Sequence, residues 1–213
     1  MQKKYKALIV VGAVFAVLAG LWFLIPSQPQ GELDNEEEVT TPVPKLFAEN
    51  EYIIDEQPDA TYILIPKLNF KATAPAGWTI KAPDESTYQY WVDLYSPDAF
   101  IDKGPYLKEG CQISISAGDE EDNIIHIKEQ MSDVKANKEQ SLMSNYQYEI
   151  TMVGDYEGLY WLTSERPSVG QFTGINLPIN NIQVLYLNAT FPPNYKEQCE
   201  PIWQEFVKSI TFN

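Results

Sequence analysis

The residues equipped to do chemistry are few. His126 is the single histidine of the chain, so a zinc site would have to take every other ligand from cysteine or carboxylate. It follows Ile125 beside an apolar helical stripe, and the sequence places it on a helix surface. Cys111 and Cys199 are the two cysteines. A Cys111–His126 dyad would need an exposed thiol, yet strand alternation turns Cys111 inward. Two readings of the cysteines stand open: a disulfide, as is common outside the cytoplasm, or two buried thiols. A bridge across so long a loop stabilises by roughly 4 kcal/mol in the chain-entropy model.

Asp119, Glu120, Glu121 and Asp122 offer the hard oxygen ligands that Ca2+ requires. The fixed spacing of a calcium loop is absent, and acids ahead of a helix already suit its dipole. No metal is therefore assigned. Trp91 and Tyr95 share one strand face with Asp93, where flat rings with polar tips could stack on a sugar or a peptide. The alternative is that these aromatics, with Trp78, Tyr90, Trp161 and Tyr186, pack under covering helices. G-x-S-x-G, G-x-x-x-x-G-K-[ST], H-E-x-x-H and C-x-x-C are all missing. No catalytic residue and no cofactor are assigned. Asn188-Ala189-Thr190 is a glycosylation sequon, meaningful only in a eukaryotic secretory route.

The elements that must position these groups are legible from about Thr61 onward. Tyr62 and Leu64 alternate, Phe70–Ala74 leads through Pro75-Ala76-Gly77 into Trp78–Ile80, and Tyr88–Tyr95 alternates again. Cys111, Ile113, Ile115 and Ala117 alternate with Gln112, Ser114 and Ser116, a half-buried strand with a polar outer face. Ile124, Ile127, Met131 and Val134 change the period to one helical stripe. Tyr148, Ile150 and Met152 run to Gly154-Asp155, and Leu159–Thr163 returns as a hairpin. A strand over Ile182–Ala189 precedes a closing helix carrying Cys199, Trp203 and Phe206, with Pro201 expected to break it or stand beside its start. The fold class this predicts is α+β, an antiparallel sheet of roughly six strands covered by helices.

The front of the chain differs in kind. Residues 1–25 hold three Lys and no acid, so all thirty acids lie beyond them against twelve Lys and Arg. Ala7–Ile25 is uncharged and long enough, at about 1.5 Å per residue, to cross a hydrocarbon core of about 30 Å. The small-residue site of a cleaved signal is absent, so residues 7–25 are predicted to be a transmembrane anchor. The Lys-bearing tail 1–6 sets the N-terminus in the cytoplasm. Residues 26–60 begin as a Pro-rich acidic linker, although 46–60 read equally as a first docking segment. The globular domain is predicted over 61–213. A formal charge of −15 and a pI near 4.4 exclude a nucleic-acid partner.

FKATAPAGWTIKAPDES at 70–86, VDLYSPDA at 92–99, GCQISISAG at 110–118, VGDYEGLYWL at 153–162 and SITF at 209–212 follow one another in a set order. In that order and spacing, residues 61–213 resemble the PsbP-like family of extracytoplasmic domains. The resemblance implies a roughly six-stranded antiparallel sheet packed between helices, preceded here by the anchor. Plant members assist the oxygen-evolving side of photosystem II, but nothing here points to photosynthesis, so only the fold is carried over. The functional expectation is a single-pass, membrane-anchored domain outside the cell, a non-catalytic binding or accessory module. Its partners would be envelope proteins or a small ligand. The competing expectation is an extracytoplasmic hydrolase-like enzyme acting through carboxylates.

Overall fold

Alternation in this chain is strongest between residues 107 and 191, and there the longest strands form. The computed structural model describes residues 45–84, 89–101, 107–138 and 145–213. The strands are β1 (Lys45–Leu46), β2 (Ile53–Glu56), β3 (Thr61–Ile65), β4 (Phe70–Thr73), β5 (Thr79–Lys81), β6 (Val92–Tyr95), β7 (Phe100–Ile101) and β8 (Leu107–Glu109). There follow β9 (Gln112–Asp119), α1 (Glu121–Lys135), β10 (Tyr146–Val153), β11 (Tyr156–Thr163), β12 (Gln171–Pro178), β13 (Gln183–Phe191), α2 (Lys196–Lys208) and β14 (Thr211–Phe212).

The large sheet is antiparallel, in the order β10-β11-β12-β13-β9-β6-β5, with β1 also paired to β9. A second sheet runs β14-β4-β3-β2. One core joins the inner face of the large sheet (Ile113, Ile115, Leu185, Leu187) to Ile63, Ile65 and Phe70 of the second sheet. Trp203 and Phe206 of α2 complete that core.

This corrects the predicted fold class. The chain is mostly β, and its large sheet is not the helix-covered, roughly six-stranded sheet of the α+β reading or of the PsbP-like resemblance. The reason is physical. The stripe Ile124, Ile127 and Met131 is enough to bury only Leu159, Val184 and their neighbours at one end of the outer face. Much of the inner face is closed by strands instead. Pro201 also fails to break its helix: α2 runs through it, held by buried Cys199, Trp203 and Phe206.

Within residues 46–60, β2 pairs with β3 and Phe47 and Tyr52 enter the core. Phe47 is buried and its N–H donates to Ala117 O at 2.8 Å. The Tyr52 hydroxyl accepts from Ala117 N at 3.0 Å, standing in for a strand where the β9 edge passes from β6 to β1. Burial pushes that phenol up to about 12. Among the described residues no helix is long and apolar enough to cross a membrane. The anchor predicted at 7–25 and the linker from 26 to 44 lie outside them.

Candidate functional site

Strand register assembles a site from residues far apart in sequence. Asp93 stands opposite Ser114, Ser114 opposite Asn188, Asn188 opposite Gly174, Gly174 opposite Trp161, and Trp161 opposite Tyr148. The rung beside it runs Tyr95, Gln112, Thr190, Phe172. Thr163 and Tyr146, paired with each other, continue it. All these side chains point to the outer face, because positions two apart share a face. With about 4.8 Å between neighbouring strands, six strands make a strip roughly 24 Å long. The third rung, Ser116, Tyr186, Asn176 and Leu159, leads under α1, where Leu159 is buried and Tyr186 packs on the helix cluster.

At one end of the strip lies Asp93, only 4% exposed. Its Oδ2 accepts from Trp91 Nε1 at 2.9 Å and from the Tyr95 hydroxyl at 3.1 Å. Its Oδ1 accepts from Gln112 Nε2 at 3.0 Å and from the Ser114 hydroxyl. A carboxylate has about four acceptor positions, and all are used. Asp93 is therefore an organising acceptor, closed to a substrate proton. Burial first, and then the Asp93 charge, raises the Tyr95 phenol far above its ordinary range. The structure thus brings Trp91 and Tyr95 together as the sequence placed them. Their polar tips are spent on Asp93, while Trp91 keeps 39% of its surface exposed.

Toward the other end the face becomes concave. A depression of about 430 Å3 is lined by Tyr146, Trp161, Arg166, Phe172, Asn188 and Thr190, among others. Trp161 lies over Gly174, where a Cβ would stand 2.5 Å from its Cζ2 and 2.5 Å from Asn188 Oδ1. Trp161 Nε1 donates to Asn176 Oδ1 at 3.2 Å, which fixes the ring on the sheet. Tyr146 packs against it with centroids 5.9 Å apart. Arg166, the one arginine, is carried by the β11–β12 turn. That turn is closed by Arg166 N to Gly170 O at 2.9 Å and Gly170 N to Arg166 O at 2.8 Å. Gly170 adopts a φ of 85° there, and a Cβ would collide with Phe191 O. A larger depression of about 650 Å3 lies against Ala48, Asn50, Tyr52, Ile54, Ala82 and Pro83, among others. Among the described residues its lining offers no cation and one aromatic ring, that of Tyr52, whose hydroxyl is committed to Ala117.

The acidic run is drawn apart. Asp119 pairs with Lys67 at 2.8 Å, and that hydrogen bond raises the Lys67 ammonium. Glu120 is buried and accepts from the Tyr186 hydroxyl at 2.6 Å and from the Asn123 side chain. Burial and Glu120 together push the Tyr186 phenol far up. Glu121 and Asp122 are exposed in the first turn of α1, at the positive end of its dipole. Among the described residues no three His, Cys, Asp or Glu groups are placed to hold a metal ion. His126 is exposed on α1 with its Nε2 3.2 Å from Gln130 Nε2. Cys111 and Cys199 form a disulfide with Cα atoms 5.5 Å apart, which leaves no thiol for a dyad.

Sequence reasoning passed over β12 and the depression beside it. Gln171–Pro178 does alternate Thr173, Ile175 and Leu177 inward, but Gly174, Asn176 and Pro178 on the other face mask the pattern. The signal that would have found the site is the shared face of Tyr146, Tyr148, Trp161 and Thr163 across one hairpin. Compared with models of known protein families and with curated proteins, the chain matches none.

Proposed function

We propose that this chain is a membrane-anchored, extracytoplasmic binding module whose ligand lies on the open outer face of the large sheet. The observation that carries the reading is the depression itself. Trp161 sits over Gly174, and the amide of Asn188 and the hydroxyl of Thr190, in the same lining, have no hydrogen-bond partner among the described residues. Ligand sites combine apolar walls with a few convergent polar groups, in volumes of about 300–1,000 Å3. Polar groups not spent on the fold are what a ligand recruits.

The location rests on two supports. The Cys111–Cys199 disulfide fits an oxidising compartment, and the uncharged Ala7–Ile25 segment behind three Lys fits an anchor with the domain outside. The non-catalytic reading is supported by the buried acids. Asp93 and Glu120 are occupied by donors from the protein, so neither is presented to a substrate as acid or base. The reading does not lean on the PsbP-like resemblance.

The test is an array of saccharides and peptides probed with the labelled full chain in detergent, followed by hydrogen exchange with the strongest binder. Protection centred on β11–β13 supports the reading. Protection elsewhere, or no binder, overturns it.

A further inference from the structure

We infer that the depression beside Trp161 holds a sugar unit bearing a single carboxylate, with Arg166 as the residue that selects the acid. This deepens the binding-module reading and rests on it.

Three features of the depression point to one ligand chemistry. Trp161 offers a flat apolar ring tied to the sheet by Asn176 and seated where Gly174 leaves room for it. The C–H face of a pyranose ring is apolar and flat on the same scale, whereas its edge carries hydroxyls. Asn188 and Thr190 flank that surface with an amide and a hydroxyl that can both donate and accept, as sugar hydroxyls require. The Thr163 hydroxyl cannot serve, because it already bridges Phe172 N at 2.9 Å and Phe172 O at 3.2 Å.

Charge then selects among sugars. Arg166 lines the depression, and no acid among the described residues forms an ion pair with it. A guanidinium holds a carboxylate through two parallel N–H donors, a geometry that a lysine ammonium cannot reproduce. The chain as a whole carries −15. Its field repels a long polyanion, so the acid that fits is an isolated one on an otherwise neutral saccharide.

Matched pairs of probes test this on the full chain by calorimetry: cellobiouronic acid against cellobiose, and sialyllactose against lactose. At least one acidic member is expected to bind about tenfold or more tightly than its neutral partner, the size of one charge-assisted pair. Arg166→Gln should abolish that preference and Arg166→Lys should restore only part of it. Lys208→Gln, on the exposed end of α2, should leave it intact. Arg166 is exposed, so matching melting curves will show that its variants fold. Equal binding of acidic and neutral sugars, unchanged in Arg166→Gln, would overturn the carboxylate assignment and leave the binding face standing. Binding of an acidic tyrosine-containing peptide in place of every sugar would overturn the saccharide. Silence from all sugars and from the peptide, with tryptophan fluorescence unmoved, would overturn both this inference and the binding reading.

Discussion

Trp161 rests on Gly174: the nearest indole carbon lies 2.5 Å from the place a Cβ would occupy. The ring can lie on the sheet only because position 174 has no side chain. Gly174→Ala should therefore lift the indole and displace Asn188, at a cost of about 1–3 kcal/mol for an overpacked site. Near-UV circular dichroism should lose intensity while far-UV signal persists. An unchanged near-UV spectrum would show that the ring does not depend on this glycine.

Asp93 organises the other end of the strip by accepting from Trp91, Tyr95, Gln112 and Ser114. Asp93→Asn replaces one acceptor oxygen with a donor group that faces donors. Urea unfolding should report a loss of about 1–3 kcal/mol. Tyr95→Phe removes one of the four bonds to Asp93 and the longer one that the hydroxyl accepts from Gln112 Nε2, and should cost less. Equal effects from the two variants would mean that the network is not centred on Asp93.

Alkaline stability follows from burial of three phenols. Tyr52, Tyr95 and Tyr186 are all raised, chiefly by desolvation, which favours the neutral form in the folded state. Their folded values exceed the unfolded one, so the unfolded chain releases its protons first. Their contribution is full below the ordinary value of 10.0 and falls as pH rises beyond it, for Tyr52 through about 12. Tyrosinate absorbance should show a class that titrates only as the fold is lost. A single step near the ordinary value with the fold intact would contradict this.

The Cys111–Cys199 bridge spans a sequence separation of 88 and ties the residue just before β9 to α2 through the core. Reducing it, or making Cys199→Ala, should lower stability by about 4 kcal/mol in the chain-entropy model. Intact mass of the oxidised protein should be lighter than the reduced form by two hydrogens. A mass that does not change on reduction would remove the bridge.

Orientation is open to a direct check. If the Lys-bearing tail is held inside, as proposed, protease added to intact cells should release fragments of residues 45–213. Full protection of those residues until the membrane is permeabilised would reverse the topology.

The sequence by itself determined what depends on neighbours along the chain. Period two over Gln112–Asp119 and Tyr146–Thr163, and the stripe of Ile124, Ile127 and Met131, are local patterns that persist in the structure. The placement of Trp91 and Tyr95 on one face with Asp93 was likewise legible, since it needs only alternation. Its reading of residues 182–189 as a strand found β13. Tertiary structure decided the rest. Local periodicity tells that a face is apolar but not whether a helix or a second sheet will cover it, and here β2, β3, β4 and β14 do much of that work. Register decided the site: Asp93, Ser114, Asn188, Gly174 and Trp161 meet through successive strand pairs that no spacing in the chain encodes. Arg166 joins them because the turn closed at Gly170 returns the chain to the same face. The pairing that aligns these residues is settled by burial on the opposite face, where a one-residue slip would turn every core side chain outward.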